Sequence, residues 1–149
     1  MEEGFSKTGG CACGEVRYEI TDKPIITHAC HCTDCQRTSG SAFAILSLIM
    51  DKTIKIEGET SKTTLSTGSG AGHEPHFCST CGTTLWHIYK NAPPGVLVLA
   101  TTTLDEARDF EPAAHIWTKS TLSWVTLPED VPCFEEFYDP SILWPFDNL

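Results

Sequence analysis

Three cysteines crowd into the sequence HACHCTDC and could together bind one metal ion. Alternate side chains of an extended segment share a face, so Cys30 and Cys32 should point to one centre. A turn over Thr33 and Asp34 would bring Cys35 to the same centre. A structural zinc takes four protein ligands, whereas a catalytic zinc takes three and leaves one position for water or substrate. The segment therefore predicts an open, functional zinc site.

Two further cysteine pairs flank this segment. Cys11 and Cys13 form a Cys-x-Cys unit among glycines, and Cys78 and Cys81 form a Cys-x-x-Cys knuckle followed by Gly82. The simplest division joins these two pairs into a closed four-sulfur site. Such a site would staple the two ends of a sheet, and its binding energy would be folding energy.

Spacing alone leaves two alternatives to this division open. Cys32 and Cys35 could join Cys78 and Cys81, which would leave Cys11, Cys13 and Cys30 for another metal ion. The long separation between Cys35 and Cys78 disfavours this pairing mildly, since paired knuckles usually lie about 15–20 residues apart. In the second alternative the three-thiol site is closed by a fourth protein ligand, for which the candidates are His28, His31, His76 and Cys133.

The composition is that of a globular protein. The 149 residues are 40% hydrophobic and 20% charged, which predicts a single domain over residues 1–149. The first ten residues lack the apolar stretch of a secretory signal, and the longest apolar run, 42–50, is far too short to span a membrane. We therefore expect a soluble, cytoplasmic protein. Its eight cysteines are clustered, which favours metal binding in a reducing compartment over disulfides.

The formal net charge of −10 limits the possible partners. A strongly acidic surface repels nucleic acid and anionic membranes, so we expect neither as a partner. A small anionic substrate would need local cations. Arg37, two residues after a predicted metal ligand, is the candidate to bind a substrate carboxylate. Arg17 and Lys62 are the fallback candidates.

Hydrophobic alternation predicts a mainly β protein. The predicted strands are 15–20, 25–28, 42–50, 52–57, 83–89 and 95–101. A helical turn or loop is expected at 36–40 and a helical turn at 105–109. Residues 66–72 are predicted to form a flexible loop, and the tail 113–149, rich in aromatic residues and prolines, is predicted to wrap irregularly over a sheet.

Several motifs together resemble the glutathione-dependent formaldehyde-activating enzyme family, also called the CENP-V/GFA domain. They are Gly-Cys-x-Cys-Gly-x-Val-Arg-Tyr at 10–18, Cys-His-Cys-x-x-Cys at 30–35 with Gly40, Phe-Cys-x-x-Cys-Gly at 77–82 and Pro-x-x-His-Ile at 112–116. Leu104-Asp105, Trp124 and the Pro-x-Phe-Glu-Glu at 132–136 also resemble the family's C-terminal part. The resemblance covers nearly the whole chain. Pro75-His76 and Cys133 depart from it.

The resemblance implies a fold, two metal ions and a reaction. The fold is an Mss4-like, zinc-stapled β fold with two zinc ions per chain. The structural zinc is held by Cys11, Cys13, Cys78 and Cys81, and the functional zinc by Cys30, Cys32 and Cys35. The implied reaction is that of a carbon–sulfur lyase or synthase, in which glutathione, the small-molecule thiol partner, adds to formaldehyde and gives S-hydroxymethylglutathione.

Other interpretations are open at this point. The chain could be a non-catalytic binding module, in which both zinc ions are structural and an Mss4-like surface binds a protein. A cytoskeletal or chromatin role is disfavoured by the acidic charge and by the lack of a basic tail. Among single residues, His115 is expected to be buried and hydrogen-bonded, Arg17 to be a strand-surface charge, and Cys133 to be a small apolar core residue.

Overall fold

The computed structural model describes residues 4–66 and 71–145. Residues 67–70 of the predicted loop and 146–149 of the predicted tail lie outside the described residues. The strands are β1 Lys7–Gly10, β2 Arg17–Ile20, β3 Ile26–Cys30, β4 Ala44–Met50, β5 Ile54–Glu57, β6 Thr60–Lys62, β7 His73–Cys78, β8 Thr84–Tyr89, β9 Val96–Ala100 and β10 Ala114–Ile116. The single α-helix of this described part is α1, Thr33–Ser39.

These strands form two sheets. The small sheet has the order β1-β2-β5, and the large sheet has the order β10-β3-β4-β9-β8-β7-β6. Every pair is antiparallel except β10 with β3, which is parallel. The predicted mainly β class is confirmed. No helix within 4–66 or 71–145 is long and apolar enough to cross a bilayer.

The large sheet buries both of its faces. Along β4, Ile49 packs with Tyr18 and Ile20 of the small sheet, whereas Leu46 and Leu48 belong to a second buried group on the other face. Strand geometry explains this division, because successive side chains point to opposite faces. The second group also contains Cys30, Cys35, Tyr138 and Trp144. One face of the large sheet thus packs against the small sheet, and the other carries the three-thiol segment.

The helix is the main departure from the predicted elements. Thr33 and Asp34 begin α1 rather than a hairpin-like turn. The Cys32 sulfur accepts a hydrogen bond from the Cys35 N–H at the N-cap, and the helix ends at Gly40, whose φ is 65°. A side-chain acceptor at the N-cap satisfies an otherwise unpaired N–H and so favours helix over turn.

The helical turn predicted at 105–109 is present as the short 3₁₀ helix Ala107–Asp109. The prediction for the tail needs correction. The tail is not entirely irregular, because Ala114–Ile116 adds β10 to the edge of the large sheet. Its parallel partner β3 is far away in the chain, so local sequence could not reveal the pairing.

Candidate functional site

A four-sulfur cluster connects the two sheets. Cys11 and Cys13 lie in the turn after β1, Cys78 ends β7, and Cys81 lies in the turn before β8. Their four Sγ atoms all lie within 4.8 Å of one another. The Sγ atoms of Cys11 and Cys13 are 3.6 Å apart, and those of Cys13 and Cys78 are 3.8 Å apart. A tetrahedral zinc with Zn–S bonds of about 2.3 Å requires S···S distances of about 3.8 Å, so this donor set fits zinc.

Local backbone supports the same four sulfurs. The Val16 N–H donates to Cys11 Sγ at 3.2 Å, and the Cys81 N–H donates to Cys78 Sγ at 3.4 Å. The Val16 hydrogen bond is the main cause of a lowered pKa at Cys11. Gly82, with φ 78°, completes the knuckle turn. The four sulfurs were expected to connect two ends of one sheet. This expectation is corrected, because the cluster joins the small sheet to the large one.

The three-sulfur cluster lies on the other face of the large sheet. Cys30 ends β3, Cys32 caps α1 and Cys35 lies in its first turn. Their Sγ atoms lie within 4.8 Å of one another. Cys30 and Cys35 are buried, and Cys32 is half-buried. Hydrogen bonds from Cys30, then Cys35, lower the pKa of Cys32 to about 2. The contact with Cys32 raises the pKa of Cys30 to about 12, and contacts with Cys30 and then Cys32 raise the pKa of Cys35. Without a metal ion the cluster therefore favours one thiolate, at Cys32, and thiolate is the form that binds soft metal ions.

Two of the four candidates for a fourth metal ligand use a ring nitrogen in a hydrogen bond to another side chain. His28 Nε2 hydrogen-bonds the Tyr138 hydroxyl at 2.5 Å. His31 Nε2 lies 2.8 Å from His115 Nδ1. The expectation that His115 is buried and hydrogen-bonded is confirmed.

The other two candidates also lie outside the cluster. His76 stacks on Trp86, with the ring centroids 5.2 Å apart. Cys133 is exposed, and its thiol donates to the carbonyls of Pro128 and Val131. The prediction of a buried Cys133 was wrong, because the irregular path of the tail, not the residue type, decides its exposure. Within the described ranges, no other Cys, His, Asp or Glu joins Cys30, Cys32 and Cys35.

Sequence reasoning missed three aromatic side chains near this cluster. His73 on β7 pairs with Tyr89 on β8, and His87 lies two residues before Tyr89 on the same strand. Alternate residues of a strand share a face, so all three side chains lie on one face. We call them the ring triad. Tyr89 packs against the buried group that contains Cys30 and Cys35, and burial together with the negative charge of the three cysteines raises its pKa. The spacing of His87 and Tyr89 was the available signal, but the partner strand was not predictable.

The candidate carboxylate anchors differ in availability. Arg37 lies in the last turn of α1, is exposed, and forms no ion pair with any described residue. Arg17 hydrogen-bonds Asp105 on the small-sheet side, and Lys62 lies 3.7 Å from Glu74. Of these three candidates, Arg37 is the one without an ion pair to a described residue, and it is also the closest in sequence to the three-sulfur cluster.

Comparison with known proteins shows the family of the chain. Residues 6–120 match the family described as glutathione-dependent formaldehyde-activating enzyme. The chain belongs to this family. A Halomonas elongata protein whose name is that of the same family is 26% identical over 141 residues, covering 90% of each chain. A crystal structure of a Rhodobacter sphaeroides protein is 20% identical, covers 85% of this chain and 98% of its own, and gives a TM-score of 0.49.

Proposed function

We propose that this chain catalyses the reversible addition of glutathione to formaldehyde at the three-sulfur cluster, as a carbon–sulfur lyase or synthase. The observation that carries the proposal is the difference between the clusters: one has four sulfurs and the other has three, with no fourth donor among the described Cys, His, Asp and Glu residues. Membership of the glutathione-dependent formaldehyde-activating enzyme family supports glutathione as the thiol.

The proposal assigns two zinc ions. Cys11, Cys13, Cys78 and Cys81 would hold a structural zinc, and Cys30, Cys32 and Cys35 a functional one. When bound at the open cluster, zinc supplies Lewis acidity that can lower the pKa of a thiol and polarise a carbonyl oxygen. Three thiolates blunt this acidity relative to three neutral histidines, which favours thiol exchange over water activation.

The reaction is balanced without any other reagent. The glutathione sulfur forms a bond to the formaldehyde carbon, and the π electron pair of the C=O bond moves to oxygen. That oxygen takes up the proton released by the thiol, and the reverse reaction breaks the same C–S bond. The chain's part is to bind and orient the thiol beside Cys30 and Cys35, where Tyr138 and Trp144 pack against the same buried group and exclude water.

The free thiols also suit a particular compartment. All eight cysteines are unpaired by disulfides, as expected in a reducing environment. The proposal therefore includes a cytoplasmic location. It also includes a single domain over residues 1–149 and an Mss4-like fold, with a small-molecule thiol as partner.

The function can be tested by following ¹³C-formaldehyde and glutathione by exchange NMR. The zinc-loaded protein should accelerate the interconversion of formaldehyde and S-hydroxymethylglutathione well above the uncatalysed rate. The same measurement with 2-mercaptoethanol should show a smaller acceleration, because that thiol lacks the carboxylates and peptide bonds that orient glutathione. An unchanged exchange rate together with no calorimetric heat on adding glutathione would refute the proposal.

Arg37 is proposed to bind a glutathione carboxylate. Because Arg37 is exposed, its ion pair is partly screened by solvent, and Arg37→Ala should weaken glutathione binding about three- to tenfold in calorimetric titration at fixed zinc and salt. Arg37→Lys should recover only part of this loss, because an ammonium cannot reproduce the bidentate fork. Arg108→Ala, which removes an exposed arginine beside the small sheet, is the matched control. Equal affinities in all four proteins would remove Arg37 from the site.

A further inference from the structure

The ring triad is a compact aromatic group on β7 and β8. The His73 and Tyr89 rings stack with centroids 4.8 Å apart and an interplanar angle of 9°. The His87 ring lies 5.4 Å from that of His73 and 5.9 Å from that of Tyr89. Three mutually packed rings fix one another's orientation, so the two imidazoles are held in place rather than free to turn to other partners.

Both imidazoles carry an unsatisfied nitrogen. His73 is 1% exposed and His87 is 4% exposed. The Nδ1 atom of each is buried and forms no hydrogen bond with any described residue. Buried polar atoms are nearly always paired, because an unpaired one has lost its hydrogen bonds to water without replacing them. The two Nδ1 atoms, on adjacent strands, are therefore candidates to bind a polar group of a ligand.

The triad adjoins the three-sulfur cluster. Tyr89 packs against the buried group that contains Cys30 and Cys35. Both histidines lie within electrostatic reach of Cys32. Burial lowers the pKa of His73 and lowers that of His87 to about 4. The negative charges of Asp34 and then Cys32 oppose the shift at His73, and the charge of Cys32 opposes the shift at His87. The two rings are therefore neutral at pH 7, and each can donate one hydrogen bond and accept another.

Other histidines of the large sheet show that this arrangement is specific. His28 is also buried, but its Nε2 is paired with Tyr138. His76 lies on the opposite face of β7, stacked on Trp86 and 3.6 Å from a carboxylate oxygen of Glu74. Of the buried histidines with an unpaired Nδ1, His73 and His87 are the two that contact each other and Tyr89.

We propose that His73 and His87 bind the hydroxyl group of the thiol–aldehyde adduct by hydrogen bonds, with Tyr89 holding both rings beside the three-sulfur cluster. The inference rests on the proposed function and deepens it by assigning the oxygen end of the substrate. The adduct HO–CH₂–S would place its sulfur at the cysteines and its oxygen at the imidazoles. Such contacts distinguish the adduct from the free thiol, which has no oxygen on that side.

A matched pair of compounds tests the hydroxyl contact. Glutathione equilibrated with equimolar formaldehyde supplies the adduct, and S-ethylglutathione has a methyl group in place of the hydroxyl. Calorimetry with zinc-loaded wild type should show about tenfold tighter binding of the adduct, since buried sites that hydrogen-bond a hydroxyl discriminate against its absence. His73→Leu and His87→Leu should each bring this ratio close to one. His76→Leu, on the opposite face of β7, should leave the ratio unchanged.

A second measurement uses the unaltered protein and does not depend on the variants folding. In ¹⁵N-labelled wild type, the Nδ1 signals of His73 and His87 should shift with the adduct but not with S-ethylglutathione. If glutathione binds but the affinity ratio stays at its wild-type value in both leucine variants, or both compounds shift the signals equally, this inference is overturned and the proposed function stands. If wild type binds no glutathione compound, the proposed function fails and this inference with it.

Discussion

Replacing Cys78 with serine is expected to leave the protein unfolded or insoluble. Cys78 is 1% exposed and belongs to the four-sulfur cluster that joins the two sheets. The binding free energy of a structural zinc is on the order of 10 kcal/mol, which is as large as the whole stability of a typical domain. Removing one of four thiolates forfeits much of that energy. Far-UV circular dichroism, thermal unfolding and zinc analysis of the purified protein measure the effect.

Cys133→Ser is the matched control for this loss. Cys133 is exposed and lies outside both sulfur clusters, so its replacement should leave the unfolding temperature and zinc content unchanged. Cys11→Ser should behave as Cys78→Ser does, because it removes a different ligand of the same cluster. A soluble Cys78→Ser protein with full zinc content and wild-type unfolding temperature would contradict the structural assignment.

Cys32→Ser should have the opposite pattern: an intact fold, one zinc ion instead of two, and no measurable glutathione binding. The fold should persist because Cys32 acts as the N-cap of α1, and serine is a preferred N-cap residue. Loss of a metal ligand should weaken glutathione binding by more than about a hundredfold. Mutating a residue that only hydrogen-bonds a metal ligand already lowers metal affinity or activity about 10–100-fold. Zinc analysis, circular dichroism and calorimetry provide the three readouts.

The outcome that contradicts this second prediction is specific. If Cys32→Ser loses both zinc ions together, the two clusters are not independent and the three-sulfur cluster contributes to folding. If it retains two zinc ions, a further ligand completes the site. Cys133→Ser again serves as the control that changes one thiol without touching either cluster.

The cysteine clusters could be foreseen because their internal geometry is local. Cys30, Cys32 and Cys35 lie within one short segment, and each pair of the four-sulfur cluster is held by its own turn. Spacing did not show that the four-sulfur cluster joins two sheets, because this depends on which distant strands pair. The start of α1 at Thr33 was also missed, since a cysteine is not a usual N-cap residue.

The ring triad illustrates the other limit of sequence analysis. His87 and Tyr89 show the spacing of one strand face, yet His73 joins them only through the register of β7 with β8. A bulge between His76 and Phe77 shifts that register, and a slip of one residue would move every side chain to the other face. Residues brought together by register are therefore less predictable than residues brought together by a turn.

The four-sulfur cluster between the two sheets also suggests an order in which parts of the chain fold. Cys13 and Cys78 are separated by 65 residues, so closing this contact confines a long loop and costs more chain entropy than any local turn. The three-sulfur cluster, in contrast, closes within one strand end and one helical turn. During synthesis, Cys30, Cys32 and Cys35 can meet before Cys78 has left the ribosome. We therefore expect the four-sulfur cluster to form late, when the hairpin of β7 and β8 reaches the small sheet, because contacts between distant parts of a chain form slowly.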